Sequence, residues 1–145
     1  DEAMRVVDDS DMPNVNLQYN LATALCDGKS TYESTISYER MNDAVIADLR
    51  KRIRICHEPA FDELQKRRYA IVEVVLKDGR TWREQITAVR GSPANPMTTA
   101  EVEDKASEYM GAVLGQARAQ KLIEKMGQLE DIGDVRELRE YISEG

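Results

Sequence analysis

Three features of this 145-residue sequence predict an α+β fold, most simply a two-layer sandwich with a small, mainly antiparallel sheet. Residues 68–89, RYAIVEVVLKDGRTWREQITAV, place two runs rich in Val, Ile, Tyr, Trp and Thr on either side of Asp78-Gly79, a strong short-range signal for a β-hairpin. Residues 53–57, IRICH, alternate apolar and polar as a half-buried strand does and would add a third strand. Beyond residue 98 every apolar residue falls at helical spacing. Strands confined to the middle of the chain, with helices on both sides in sequence, define the α+β class.

The hairpin carries its own register argument. With a two-residue loop Glu73 lies opposite Glu84, like charge on like charge. With a three-residue loop and Gly79 in a left-handed bulge position, Glu73 faces Arg83, Val74 faces Trp82 and Ala70 faces Ile86. Opposite charges across a pair stabilise by roughly 0.2–1 kcal/mol and like charges destabilise, so the bulged form is expected. Its core face would be Ala70, Val72, Val74, Leu76, Trp82 and Ile86, with Glu84 escaping at an edge.

Upstream, residues 4–7 could end a strand. Residues 14–27 read as a helix, with Pro13 before it and Gly28 as a left-handed stop. It bears two apolar stripes, Leu17/Leu21/Ala24/Leu25 and Val15/Tyr19/Ala22/Cys26. A helix apolar on two sides is expected to lie between layers or in an interface. Residues 30–38 suggest a short helix and a turn. Residues 42–52 form another helix, capped by Asn42, with Met41, Val45, Ile46 and Leu49 on its buried side. Residues 60–66 read as a loop or one helical turn.

Residues 91–98, GSPANPMT, are the most linker-like stretch and divide the chain into an α+β part, 1–92, and a helical part, 93–145. Thr98-x-x-Glu101 is a capping box that opens a helix with Val102, Ala106, Tyr109, Met110 and Val113 on one face. Gly115 breaks it. Ala119, Leu122, Ile123, Met126 and Leu129 follow as the next stripe. Asp134-x-x-Glu137 caps a last helix with Val135, Leu138 and Ile142.

Bulk properties narrow the function. The net charge of −7 argues against a nucleic acid as partner, because phosphate binding needs concentrated Lys and Arg. The basic cluster Arg50-Lys51-Arg52 with Arg54 reads as a solvated face. No run approaches the ~20 apolar residues of a membrane span. Cys26 and Cys56 share no metal-like spacing and read as core packing in a reducing, cytoplasmic setting. The first residue is Asp1 rather than Met, which suggests a piece of something longer.

Few residues offer chemistry. His57 is the single histidine, so neither a His-based metal cluster nor a Ser/His/Asp set can be complete within these residues, and no metal or other cofactor is expected. Residues 77–80, KDGR, lack the glycine spacing and following helix of a phosphate loop. Paired carboxylates lie in solvated contexts. Tyr19 stands apart: a phenol on an almost wholly apolar helix must find a hydrogen-bond partner when buried, and protonated at neutral pH it could donate to a developing oxyanion. Spacing alone favours a structural role for it.

The segment MPNVNLQYNLATALCDG (residues 12–28) resembles the C-terminal part of the MmgE/PrpD family. That family contains 2-methylcitrate dehydratases, cis-aconitate decarboxylases and an iminodisuccinate epimerase. The resemblance continues through residues 29–33, IRICHEPAF, VEVVLKDGRT and Gly91-x-Pro93-x-Asn95-Pro96, covering nearly the whole chain from about residue 4. It implies the C-terminal portion of an α+β lid, closing over a helical domain that lies upstream. The implied chemistry is metal-independent: a proton is taken α to a carboxylate of a small di- or tricarboxylic acid, followed by dehydration, decarboxylation or epimerisation. The basic groups would come from the helical domain, so these residues alone should be inactive. The resemblance maps a pocket tyrosine onto Tyr19 as hydrogen-bond or proton donor, with Asn16 and Gln18 beside it as substrate contacts. Family members often carry Ser where this chain has Asn16. Expected partners are the polycarboxylate, the helical domain and a second copy in a homodimer. The competing class is a non-catalytic binding or assembly module that keeps the lid fold.

Overall fold

A computed structural model describes residues 12–64 and 69–142, so the expected strand at 4–7 lies outside the described residues. The α+β class holds: seven α-helices and one two-stranded antiparallel sheet occur among these residues. The chain divides into two compact units, residues 1–57 and 58–145.

The first unit is helical: α1 (Leu17–Asp27), α2 (Tyr32–Ile36), α3 (Tyr38–Met41) and α4 (Ala44–Arg52). Each start is fixed by a side chain that accepts an otherwise orphaned N–H. Asn16 caps α1, Thr31 caps α2, Ser37 caps α3 and Asp43 caps α4. The cap of α4 is therefore Asp43 rather than Asn42, which closes α3 instead. Asp43 Oδ1 accepts from the N–H groups of both Val45 and Ile46, at 2.9 and 3.2 Å, and an anion there also suits the helix dipole. Gly28 ends α1 with φ +74°, as its position predicts. The core is small: Tyr19, Ala22, Met41 and Ile46, with Leu49 and Ile53 packed against it.

Two expectations for this unit are corrected. Residues 53–57 do not form a strand; among the described residues the sheet has two strands only, and this stretch is neither of them. Alternation specifies which side chains share a face, but a strand also needs a neighbouring strand, and among the described residues the sheet does not extend to it. The two-sided burial of α1 also fails. Gln18, Tyr19, Ala22 and Thr23 are buried, whereas Leu17 and Leu25 are 54% and 55% exposed. Polar side chains that bond to backbone have taken the inward face, and the leucine stripe is left open. Cys26 and Cys56 are exposed free thiols, not core residues.

The second unit opens with a 3₁₀ stretch, Pro59–Leu64, followed by the hairpin of β1 (Ala70–Val75) and β2 (Thr81–Ile86). Its register is the bulged one, with Glu73 opposite Arg83, Val74 opposite Trp82 and Ala70 opposite Ile86. Gly79, at φ +87°, takes the left-handed turn position that a side chain would strain. The expected core face is not buried: Val74 alone of those six residues is even partly covered, and Trp82 is 77% exposed. A two-stranded ribbon has no third strand to broaden it, and among the described residues no helix of its own unit packs closely on either face.

Helices α5 (Thr99–Leu114) and α6 (Gln116–Gly127) pack on one another, with Ala119, Leu122 and Ile123 buried, followed by 3₁₀ turns at Leu129–Asp131 and Val135–Leu138 and by α7 (Arg139–Ile142). The capping box Thr98/Glu101 forms as expected. Gly115 separates α5 from α6 at φ +79°, ψ 148°, a conformation open to glycine. The α5 stripe is corrected in part: Ala106 and Met110 are half-buried, but Val102, Tyr109 and Val113 face outward. Among the described residues, no helix is long and apolar enough to cross a membrane.

Candidate functional site

The three residues singled out from the sequence, Asn16, Gln18 and Tyr19, sit together at the start of α1, and all three are buried. Each is bound to the fold itself. Asn16 Oδ1 accepts from the Tyr19 N–H at 2.8 Å, which is the N-cap of the helix. Gln18 Nε2 donates to the Ile53 carbonyl at 2.9 Å, tying α1 to the end of α4. Tyr19 is 0% exposed, and its hydroxyl donates to the Ser34 carbonyl, with the Ser37 carbonyl 3.4 Å away. Burial, the dominant cause, pushes the phenol above its ordinary pKa of 10.0; the nearby Arg40 opposes this and Asp27 reinforces it. Tyr19 is thus a proton donor at neutral pH, and its proton points at backbone carbonyls.

Those carbonyls belong to the wall of a cleft. A solvent-open depression of about 720 Å³ in the first unit is lined by Asp27, Ser34, Ser37, Arg40 and Asp43 among others. Ser34 and Ser37 stand between it and Tyr19, so the phenol supports the wall from behind. The wall is also held locally. Thr31 and Ser34 make a reciprocal capping box, and Ser37 Oγ accepts from the Arg40 N–H at 3.0 Å.

The cleft is acidic. Arg40 is its cation, against Asp27, Glu33, Glu39 and Asp43 on the same lining. Arg40 is already engaged, 2.6 Å from Asp27 and 3.6 Å from Asp43, and the Asp27 hydrogen bond raises its pKa further. A di- or tricarboxylate entering here would meet net negative charge and a guanidinium already paired with Asp27. Among the described residues no group of three or more His, Cys, Asp or Glu side chains is placed to hold a metal ion. His57 is exposed at the end of the unit.

Sequence reading found the start of α1 but missed the residues it supports. Thr31-x-x-Ser34 and Ser37-x-x-Arg40 are cap patterns at three-residue spacing, a signal that would have marked both short helices.

A small helical unit that presents a buried tyrosine behind an open cleft, joined in sequence to a hairpin and a helical pair, makes up this α+β chain. Residues 7–131 match the MmgE/PrpD C-terminal domain, and the chain belongs to that family. It is similar to cis-aconitate decarboxylase of Mus musculus, with 27% identity over 123 residues. That match covers 82% of this chain and 24% of the mouse protein, so the chain spans about a quarter of the length of this relative. No solved structure matches it.

Proposed function

We propose that this chain is the C-terminal domain of a lyase or isomerase that takes a proton α to a carboxylate of a small di- or tricarboxylic acid, then dehydrates, decarboxylates or epimerises it. The observation that carries this reading is the family match across residues 7–131, which includes the whole start of α1. The similarity to a cis-aconitate decarboxylase is in keeping with it.

In this proposal the domain supplies a shaped wall, and an upstream helical domain supplies the basic groups. The electrostatics favour that division. A polycarboxylate needs cations, and among the described residues lining the cleft Arg40, the cation, is paired with Asp27 and lies 3.6 Å from Asp43. Asn16, Gln18 and Tyr19 form this chain's contribution to the site. In the geometry described, Tyr19 acts as a positioning residue for the Ser34–Ser37 wall, Asn16 sets the start of α1, and Gln18 anchors that helix to α4. The enzyme works in the cytoplasm as a homodimer.

The test is direct. The isolated chain mixed with cis-aconitate or 2-methylcitrate should give no turnover above background. Turnover by the chain alone would place the catalytic groups within these residues and overturn the division. A second reading, a non-catalytic binding or assembly module, is favoured by one observation: the Tyr19 proton is committed to backbone carbonyls. Joining the chain to a helical domain of the family separates the two, since a domain that has lost its chemistry would leave that assembly inactive.

A further inference from the structure

Residues 88–101 have the composition of a tether, with two prolines and a glycine, yet hydrogen bonds fill them. Asn95 sits at the centre. Its N–H donates to the Ser92 carbonyl at 2.9 Å, and its carbonyl accepts from the Gly91 N–H at 2.8 Å. Its side-chain Nδ2 donates to the Ala88 carbonyl at 3.2 Å, and its Oδ1 accepts from Arg90 Nη1 at 2.9 Å. The same Arg90 nitrogen donates to the Pro96 carbonyl at 2.6 Å, and Arg90 Nη2 pairs with the Glu101 carboxylate. Glu101 in turn accepts from the Thr98 N–H at 2.8 Å and the Thr98 hydroxyl at 2.7 Å, and its own N–H donates to Thr98 Oγ1 at 3.3 Å.

One planar guanidinium therefore bridges a turn side chain, a turn carbonyl and the first turn of α5. We infer that residues 88–101 are a rigid elbow locked by Arg90, which fixes the direction in which α5 leaves the hairpin. Arg suits the position because its fork can engage several acceptors in one plane, which a lysine ammonium cannot reproduce. Gly91, at φ +88°, supplies the left-handed bend. The Arg90 and Thr98 hydrogen bonds hold the Glu101 carboxyl at a pKa of about 2, so the lock stays closed throughout the neutral range. Helix α5 and strand β2 then move as one body, and whatever surface receives the helices receives the hairpin in a set orientation. The inference stands independently of any reaction.

Hydrogen–deuterium exchange on the intact chain tests it. The amides of Gly91, Asn95 and Thr98 should exchange at least about tenfold more slowly than an unstructured chain. Arg90→Ala should accelerate them about tenfold while the amides of α1 keep their rates, and Arg90→Lys should accelerate them too. Free-chain rates in the unaltered protein, or rates unmoved by either substitution, would overturn the elbow. If Arg90→Ala does not fold, the unaltered protein and Arg90→Lys decide the matter.

Discussion

The start of α1 and the hairpin make an instructive pair, because each reverses what its composition suggests. The apolar helix is held on its inward side largely by polar side chains bonded to backbone: Asn16, Gln18, Tyr19 and Thr23 all make such bonds within buried surroundings. The hairpin, richer in β-formers and carrying the single Trp, is held by its ladder and its turn while most of its apolar side chains lie open. A polar group enters a core cheaply when its partner is preset, whereas apolar alternation buries nothing unless another layer arrives. Stability in this chain should therefore track specific ties and the few enclosed side chains, not hydrophobicity along the sequence.

The comparison can be sharpened by substitution. The largest effect is expected at Ile46, which is fully enclosed in the first unit's core. Ile46→Ala should cost about 2–5 kcal/mol of that unit's stability, measured by denaturant titration. Acid gives a smaller, local effect. Glu101 has its pKa lowered from 4.5 to about 2, so its stabilising contribution is complete above the higher value and is lost as pH falls through the lower one. Protection at Thr98 and Asn95, taken against the intrinsic exchange rate at each pH, should fall as pH drops across that window, with no change in protection between pH 5 and 8. The smallest effect is expected at Trp82. Despite its size, Trp82→Ala should shift the stability of the chain by no more than about 0.5 kcal/mol, because an exposed ring gives up little on truncation. A loss comparable to that of Ile46→Ala would mean that another layer covers the hairpin.

Much of the local structure was legible in the sequence because it is decided locally. The Glu73/Arg83 pairing chose the register, Gly28 and Gly115 ended helices through their backbone freedom, and Thr98/Glu101 announced α5. What failed was decided elsewhere in the chain. Residues 53–57 alternate properly but, among the described residues, lie outside the sheet. Leu17 and Leu25 stay exposed on their stripe, and Cys26 and Cys56 sit on exposed positions of otherwise apolar patterns. The site was half legible. The resemblance pointed to Asn16, Gln18 and Tyr19, and burial of the Tyr19 phenol was foreseen from the apolar helix. Its partners were not, since Ser34 and Ser37 are brought to it by two short helices whose caps went unread.

The central claim is that Tyr19 serves the proposed enzyme by holding the wall of the cleft rather than by passing a proton. The most direct measurement is Tyr19→Phe in the complete enzyme, with kcat, KM and thermal stability read together. The expected result is a stability loss of about 1–3 kcal/mol, because the buried Ser34 carbonyl loses its donor, together with a raised KM and a kcat within about threefold of the unaltered enzyme. A kcat lower by roughly 10²-fold or more with stability intact, the scale of a lost acid–base group, would contradict it and make Tyr19 the proton donor.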